Sequence, residues 1–152
     1  MLPFTPSMLR GYKVTRAAAD VFDGTQKAIF TITGGRVLIT GLLSTVSGAA
    51  IDAGASNMSF VTNPTTGTDA AMCAVLDINA DENGTIYSCP FDVSVALRGG
   101  SGGGGYIPDK GWVAAVGTID ILTVADVGTG GALGSFTLFY IPLDNGAKVT
   151  AA

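Results

Sequence analysis

Histidine is absent from this chain, and glutamate occurs once, as Glu82. The commonest general base and the commonest zinc ligand are therefore missing, and with them every Ser-His or Cys-His pairing. Charge is scarce as well: Asp, Glu, Lys and Arg make up 13% of the residues, about half the share usual in a soluble globular protein. So few charges imply that part of the outer surface is covered by other subunits rather than by water. The basic residues are scattered and the net charge is −4, which speaks against a sequence-independent grip on nucleic acid.

Long apolar runs are missing too. A membrane-spanning helix needs about 18 continuous apolar residues, and the longest candidate, Val37 to Ile51, is interrupted by Thr40, Gly41, Ser44, Thr45, Ser47 and Gly48. The opening Met1-Leu2-Pro3-Phe4-Thr5-Pro6 lacks the basic-then-apolar order of a secretory signal. The chain is expected to be made and kept in a cytoplasm until it is assembled, without a membrane partner. In that compartment Cys73 and Cys89 are expected to be free, buried thiols.

What is present is β-type alternation. The 152 residues suit one domain that buries roughly 70% of its unfolded surface. From Lys27 onward the period is two: Ala28 to Thr33 and Arg36 to Thr40 read as strands joined by a two-residue Gly34-Gly35 hairpin turn. Leu42 to Val46 continues the second strand past Gly41, where a bulge is natural. Ala71 to Ile78 and Thr85 to Cys89 flank Asp81-Glu82-Asn83-Gly84, and Asn-Gly is a strong hairpin signal. Phe91 to Leu97, Met58 to Val61, Val113 to Ala115, Thr118 to Val124 and Gly134 to Leu143 are further strands. The only window of helical composition, Val14 to Phe22, has a short Ala run with β-branched residues near it. Roughly eight to ten short strands without intervening helices predict an all-β fold, an antiparallel β-sandwich or barrel of jelly-roll type. Residues 1–25, which carry Pro3, Pro6, Arg10, Lys13 and Arg16, read as an extended N-terminal arm or a first peripheral strand, with the single β domain over 26–152.

Sites of chemistry find little support. Asp77-Ile78-Asn79-Ala80-Asp81 begins like a calcium loop, but Glu82 and Ser88 stand where that loop needs glycine and glutamate. A strand end entering a turn accounts for it. The run Gly99 to Gly105 lacks the Gly-Lys-Ser/Thr of a phosphate loop and reads as a mobile surface loop. Tyr106, Ile107 and Trp112 border it as interface anchors, although Trp112 reads equally well as core. Asp120, alone among apolar neighbours, is expected to face outward from its strand; without a second acid it supports no acid-base role. No catalytic residue, metal or cofactor is expected. The candidate interface residues are Leu2, Phe4, Met8, Arg10 and Tyr12 of the arm, together with Tyr106, Ile107 and Trp112.

The phrasing Phe30-Thr31-Ile32-Thr33-Gly34-Gly35-Arg36-Val37-Leu38-Ile39-Thr40-Gly41-Leu42-Leu43, with Ala74-Val75-Leu76-Asp77-Ile78 and the ending from Tyr140 to Ala152, resembles small β-rich virion proteins of tailed bacteriophages, and among them head decoration, or cement, proteins. The similarity runs from about residue 28 to the C-terminus and rests on strand and turn phrasing, so no functional residue is carried over singly. It implies a β-sandwich that trimerises on the capsid exterior and locks neighbouring major capsid subunits together. An arm pairing along a neighbour's sheet edge would supply affinity without charged hot spots. Another virion component, such as a minor head or tail protein, and a small carbohydrate-binding sandwich are the alternatives; an enzyme is the least supported class.

Overall fold

The computed structural model describes residues 10–54, 56–100 and 109–152. Leu2, Phe4, Met8, Tyr106, Ile107 and most of the glycine run lie outside the described residues. Every element within them is a strand: β1 (Tyr12–Ala19), β2 (Gln26–Thr33), β3 (Val37–Ser47), β4 (Asn57–Pro64), β5 (Ala70–Ala71), β6 (Cys73–Ala74), β7 (Leu76–Asp77), β8 (Ile86–Ser88), β9 (Asp92–Ala96), β10 (Arg98–Gly100), β11 (Trp112–Ala114), β12 (Gly117–Thr123), β13 (Leu133–Pro142) and β14 (Lys148–Ala151). The fold is all-β, and none of the described residues forms a helix long and apolar enough to cross a membrane.

Two six-stranded antiparallel sheets carry the structure. The first runs β1-β13-β3-β8-β10, with β11 also on β3; the second runs β14-β2-β12-β4-β5, with β7 also on β4. A short parallel pair, β6 with β9, stands apart. The inner faces meet in one core, where Phe60 of β4 and Phe136 of β13 lie edge to face with ring centroids 6.3 Å apart. Alternation sets what each strand contributes: Phe136, Leu138 and Tyr140 of β13 are buried, while Ser135, Thr137 and Phe139 between them point outward.

On β3 the alternation changes phase. Val37 and Ile39 face inward, and so do Leu42, Ser44 and Val46. The phase slips because Phe139 pairs with Gly41 and Tyr140 with Ile39, leaving Thr40 as the extra residue of a bulge. The bulge expected at Gly41 is thus present beside it. Arg10 secures it: its Nη1 donates to the Thr40 carbonyl at 3.0 Å, and Thr40 Oγ1 donates to the Arg10 carbonyl at 2.5 Å.

Neither expected hairpin forms. Gly34 and Gly35, at φ +78° and +143°, turn the chain from β2 in the second sheet to β3 in the first, so these strands are not partners. A Cβ on Gly34 would lie 2.2 Å from the Gly146 carbonyl oxygen, which reserves this tight corner for glycine. The Asn83-Gly84 turn likewise links the second sheet to the first, and the strand expected over Ala71 to Ile78 is divided into β5, β6 and β7. Both errors share a cause: a tight turn holds a hairpin only if its flanking strands pair, and here each finds a more distant partner.

Of the two readings of residues 1–25, Tyr12–Ala19 is an edge strand on β13. Behind it Val21 and Phe22 are completely buried. Arg16 closes this side of the molecule, its Nε donating to the Ala152 carbonyl at 3.1 Å and its guanidinium lying 5.9 Å from the Phe136 ring centroid. The segment from Tyr12 to Phe22 therefore belongs to the folded unit.

Candidate interaction surface

The outward faces of the two sheets differ in chemistry. On the first sheet, register places Ile141 of β13, Leu38 of β3 and Val113 of β11 in one row across the strands. Ile141 is 39% and Val113 58% exposed. Further rows on this face set Thr137 beside Leu43, and Ser135 beside Thr45 and Ile86. Phe139 pairs with Lys13, and the row through Thr137 and Leu43 runs on through Ser88 to the register position of Arg98. Aliphatic, aromatic and hydroxyl side chains thus fill most of this face, with Arg10, Asp109 and Lys110 beside Leu38 and Thr40 at one margin.

The second sheet presents a polar face, with Thr150, Thr31, Thr118 and Asn63 in one continuous row. Asp120 sits beside that row, and it is not solvated as its outward position in the alternation implies: only 3% of it is exposed. Its Oδ2 accepts from Gln26 Nε2 at 2.7 Å and from Asn63 Nδ2 at 3.3 Å, while Oδ1 is buried without a partner. Gln26 Nε2 also donates to Asp69 at 3.0 Å. Two amide side chains lying over the strand cover the carboxylate, which alternation alone does not reveal.

Sheet edges offer less to a partner than the first sheet's face does. β5 and β7 have two residues each, and β10 and β11 three, lengths that blunt strand-to-strand templating. The Arg16–Ala152 contact brings the edges of β1 and β14 together.

Charges divide along the length of the strands. Asp20, Asp23, Asp52, Asp81, Glu82 and Asp126 occupy the loops at the end where β3 finishes, and Lys27 joins Asp23 there at 2.6 Å. Arg36 and Lys148 stand at the opposite end. Asp144 accepts from Arg36 Nη2 at 2.8 Å, from its Nε at 2.9 Å and from its backbone N–H at 2.7 Å, and this holds its carboxyl down at about 2. The Lys110 ammonium likewise holds Asp92 well below the usual carboxylate range.

The oxygens of the calcium-like stretch serve separate internal donors. Asp77 Oδ1 accepts from the Asn79 N–H at 3.0 Å, Asn79 Oδ1 from the Gly54 N–H at 2.8 Å, and Asp81 Oδ2 from the Tyr87 hydroxyl at 2.6 Å. Burial, with Asp81 beside it, pushes the Tyr87 hydroxyl pKa up. No group of three or more His, Cys, Asp or Glu side chains among the described residues is placed to hold a metal. Cys73 and Cys89 are buried free thiols, as expected, and they are neighbours: Cys73 is held down by a hydrogen bond from Cys89, whose own thiol is pushed up by burial.

Comparison with protein-family models, with curated proteins and with solved structures finds no match to this chain. The surface chemistry therefore has to carry the functional reading. Of the interface residues read from the sequence, Arg10, Tyr12 and Trp112 are described. Tyr12 pairs with Tyr140, Tyr140 with Ile39, and Ile39 with Trp112, so Tyr12 and Trp112 share one register row across the first sheet. Trp112 packs against the core, Arg10 binds the bulge, and Tyr12 is 64% exposed. Sequence reading did not single out Leu38, Ile141 or Val113; the alternation in β3 and β13 was a visible signal for their outward direction, but their common row depends on register.

Proposed function

We propose that this chain is a structural virion protein, a decoration (cement) protein that binds the outer surface of a tailed-phage head and bridges major capsid subunits. The observation that carries the reading is the outer face of the first sheet, mostly aliphatic, aromatic and hydroxyl, with few charges, among them Lys13 and Lys110. Strands about 4.8 Å apart with about 3.3 Å per residue give that face an area on the order of 600 Å², approaching the roughly 800 Å² per partner of a stable interface. Its side chains exclude water without demanding ion pairing, which suits contact with copies of itself and with a shell.

In this reading the two sheets form a sandwich of jelly-roll type and the protein acts as a homotrimer on the capsid exterior. A bound oligomer adds its binding free energy only to the intact shell, so decorated heads withstand more heat. The deciding experiment mixes purified protein with heads lacking it and follows co-sedimentation and the temperature of rupture. The expected result is saturable binding with a raised rupture temperature, both diminished by Val113→Lys and Ile141→Lys. Failure to bind any head overturns the cement reading.

A further inference from the structure

Beside the Arg36–Asp144 corner, where β13 leads into β14, lies a cleft of about 570 Å³ between Tyr12, Tyr140, the turn after Pro142 and Lys148. Its volume falls within the roughly 300–1,000 Å³ of small-molecule sites. Tyr12 forms one wall. Tyr12 is 64% exposed, yet its ring lies 5.6 Å from the Tyr140 ring with a tilt of 35°, and Tyr140 is only 7% exposed. The core thereby holds in place an aromatic surface that water alone would not favour.

The polar side of the cleft is specific. Asp144 is neutralised by Arg36, whereas Lys148 and Asn145 are exposed and make no side-chain hydrogen bond or ion pair among the described residues. An aromatic ring, an amide and an ammonium thus line one open cleft, with room for more than one sugar ring. The flat C–H face of a pyranose packs against an aromatic ring, its hydroxyls match an amide that both donates and accepts, and a carboxylate on the ring matches the ammonium.

We propose that this cleft binds a saccharide bearing a carboxylate, a uronic-acid-type unit, with Tyr12 as the stacking platform, Asn145 contacting hydroxyls and Lys148 pairing the carboxylate. The inference is independent of the cement reading and concerns a ligand taken up by the protein itself.

The test uses the full-length protein without heads, so its outcome is separate from that of capsid binding. A hyaluronan hexasaccharide, which alternates glucuronate with N-acetylglucosamine, is titrated by calorimetry and by amide chemical shifts, alongside neutral N-acetylchitohexaose. Saturable binding of the acidic sugar is expected, with shifts centred on Tyr12 and residues 145–148 and weaker binding of the neutral one. Lys148→Gln, an exposed change that leaves the fold alone, should weaken the acidic sugar roughly tenfold. Tyr12→Ala should abolish binding and Tyr12→Trp restore it, which separates loss of the platform from loss of β1. The proposal is overturned if the acidic sugar does not bind, or if Lys148→Gln binds it as well as the wild type.

Discussion

Phe60 and Phe136 meet edge to face across the two sheets, their rings 77° apart in plane. Strand β4 belongs to the second sheet and β13 to the first, so this contact is one of those that join the two sheets across their shared core. Arg16 adds its guanidinium over the Phe136 ring from the β1 edge, which makes Phe136 a meeting point of both sheets and one side of the molecule.

Truncating Phe136 to Ala should destabilise the protein by about 3–5 kcal/mol, through lost burial and the cavity left behind. The Phe60→Ala change should cost a similar amount. Because the rings touch, the double variant should fall short of additivity by about 0.5–1.5 kcal/mol. Urea unfolding of the four proteins measures this; strict additivity would show that the pair does not act as a unit.

Asp120 gives a second test. Replacing it with Leu removes the acceptor of the Asn63 amide and leaves Gln26 with Asp69 as its partner, and should cost about 1 kcal/mol. Asp120→Asn keeps an oxygen for those amides and removes the charge, so it should cost less. The order of the two urea midpoints is the readout, and a Leu variant as stable as wild type would defeat the account.

The Arg36–Asp144 pair sets a pH dependence. The folded pKa of Asp144, at about 2, lies below the ordinary value of 3.8. Its contribution to stability is therefore complete above the ordinary value and is lost as pH falls through the interval toward about 2. Comparing thermal unfolding of wild type and Asp144→Asn across that interval should show the difference shrinking with acid. A gap that stays constant would contradict the linkage. High salt should also shrink it at neutral pH, since the pair is solvent-exposed.

Cys73 and Cys89 should react with a thiol reagent only after unfolding, because both are buried and the Cys89 thiol resists ionisation. Labelling followed by mass spectrometry in native and denaturing buffer measures this. Rapid native modification of both would show that the region around β6 and β8 opens readily.

Residues 12–22 bear on how the N-terminal region is studied. The sequence left Tyr12–Ala19 open between an arm and a peripheral strand, since small and basic residues carry little packing information. Pairing with β13 and the complete burial of Val21 and Phe22 follow from contacts with residues more than a hundred positions away. A deletion intended to test an arm without disturbing the fold has to stop before Arg10, whose hydrogen bonds secure the Thr40 bulge.

The sequence by itself determined the β class and the location of the long strands, because period-two alternation is a local property that β3, β12 and β13 display directly. It also determined the scarcity of charge from which an assembly surface was inferred, and the burial of both thiols. Only the tertiary structure decided which strands share a sheet. β2 and β3 adjoin at Gly34-Gly35 yet diverge, since β2 finds β12 and β14 while β3 finds β13. The same long-range pairing brought Leu38, Ile141 and Val113 into one row, covered Asp120 with Gln26 and Asn63, and set Tyr12 across a cleft from Lys148. Alternation records which face a side chain prefers, whereas its neighbours on that face depend on register between segments far apart in the chain, and that choice is settled by the packing of the whole core.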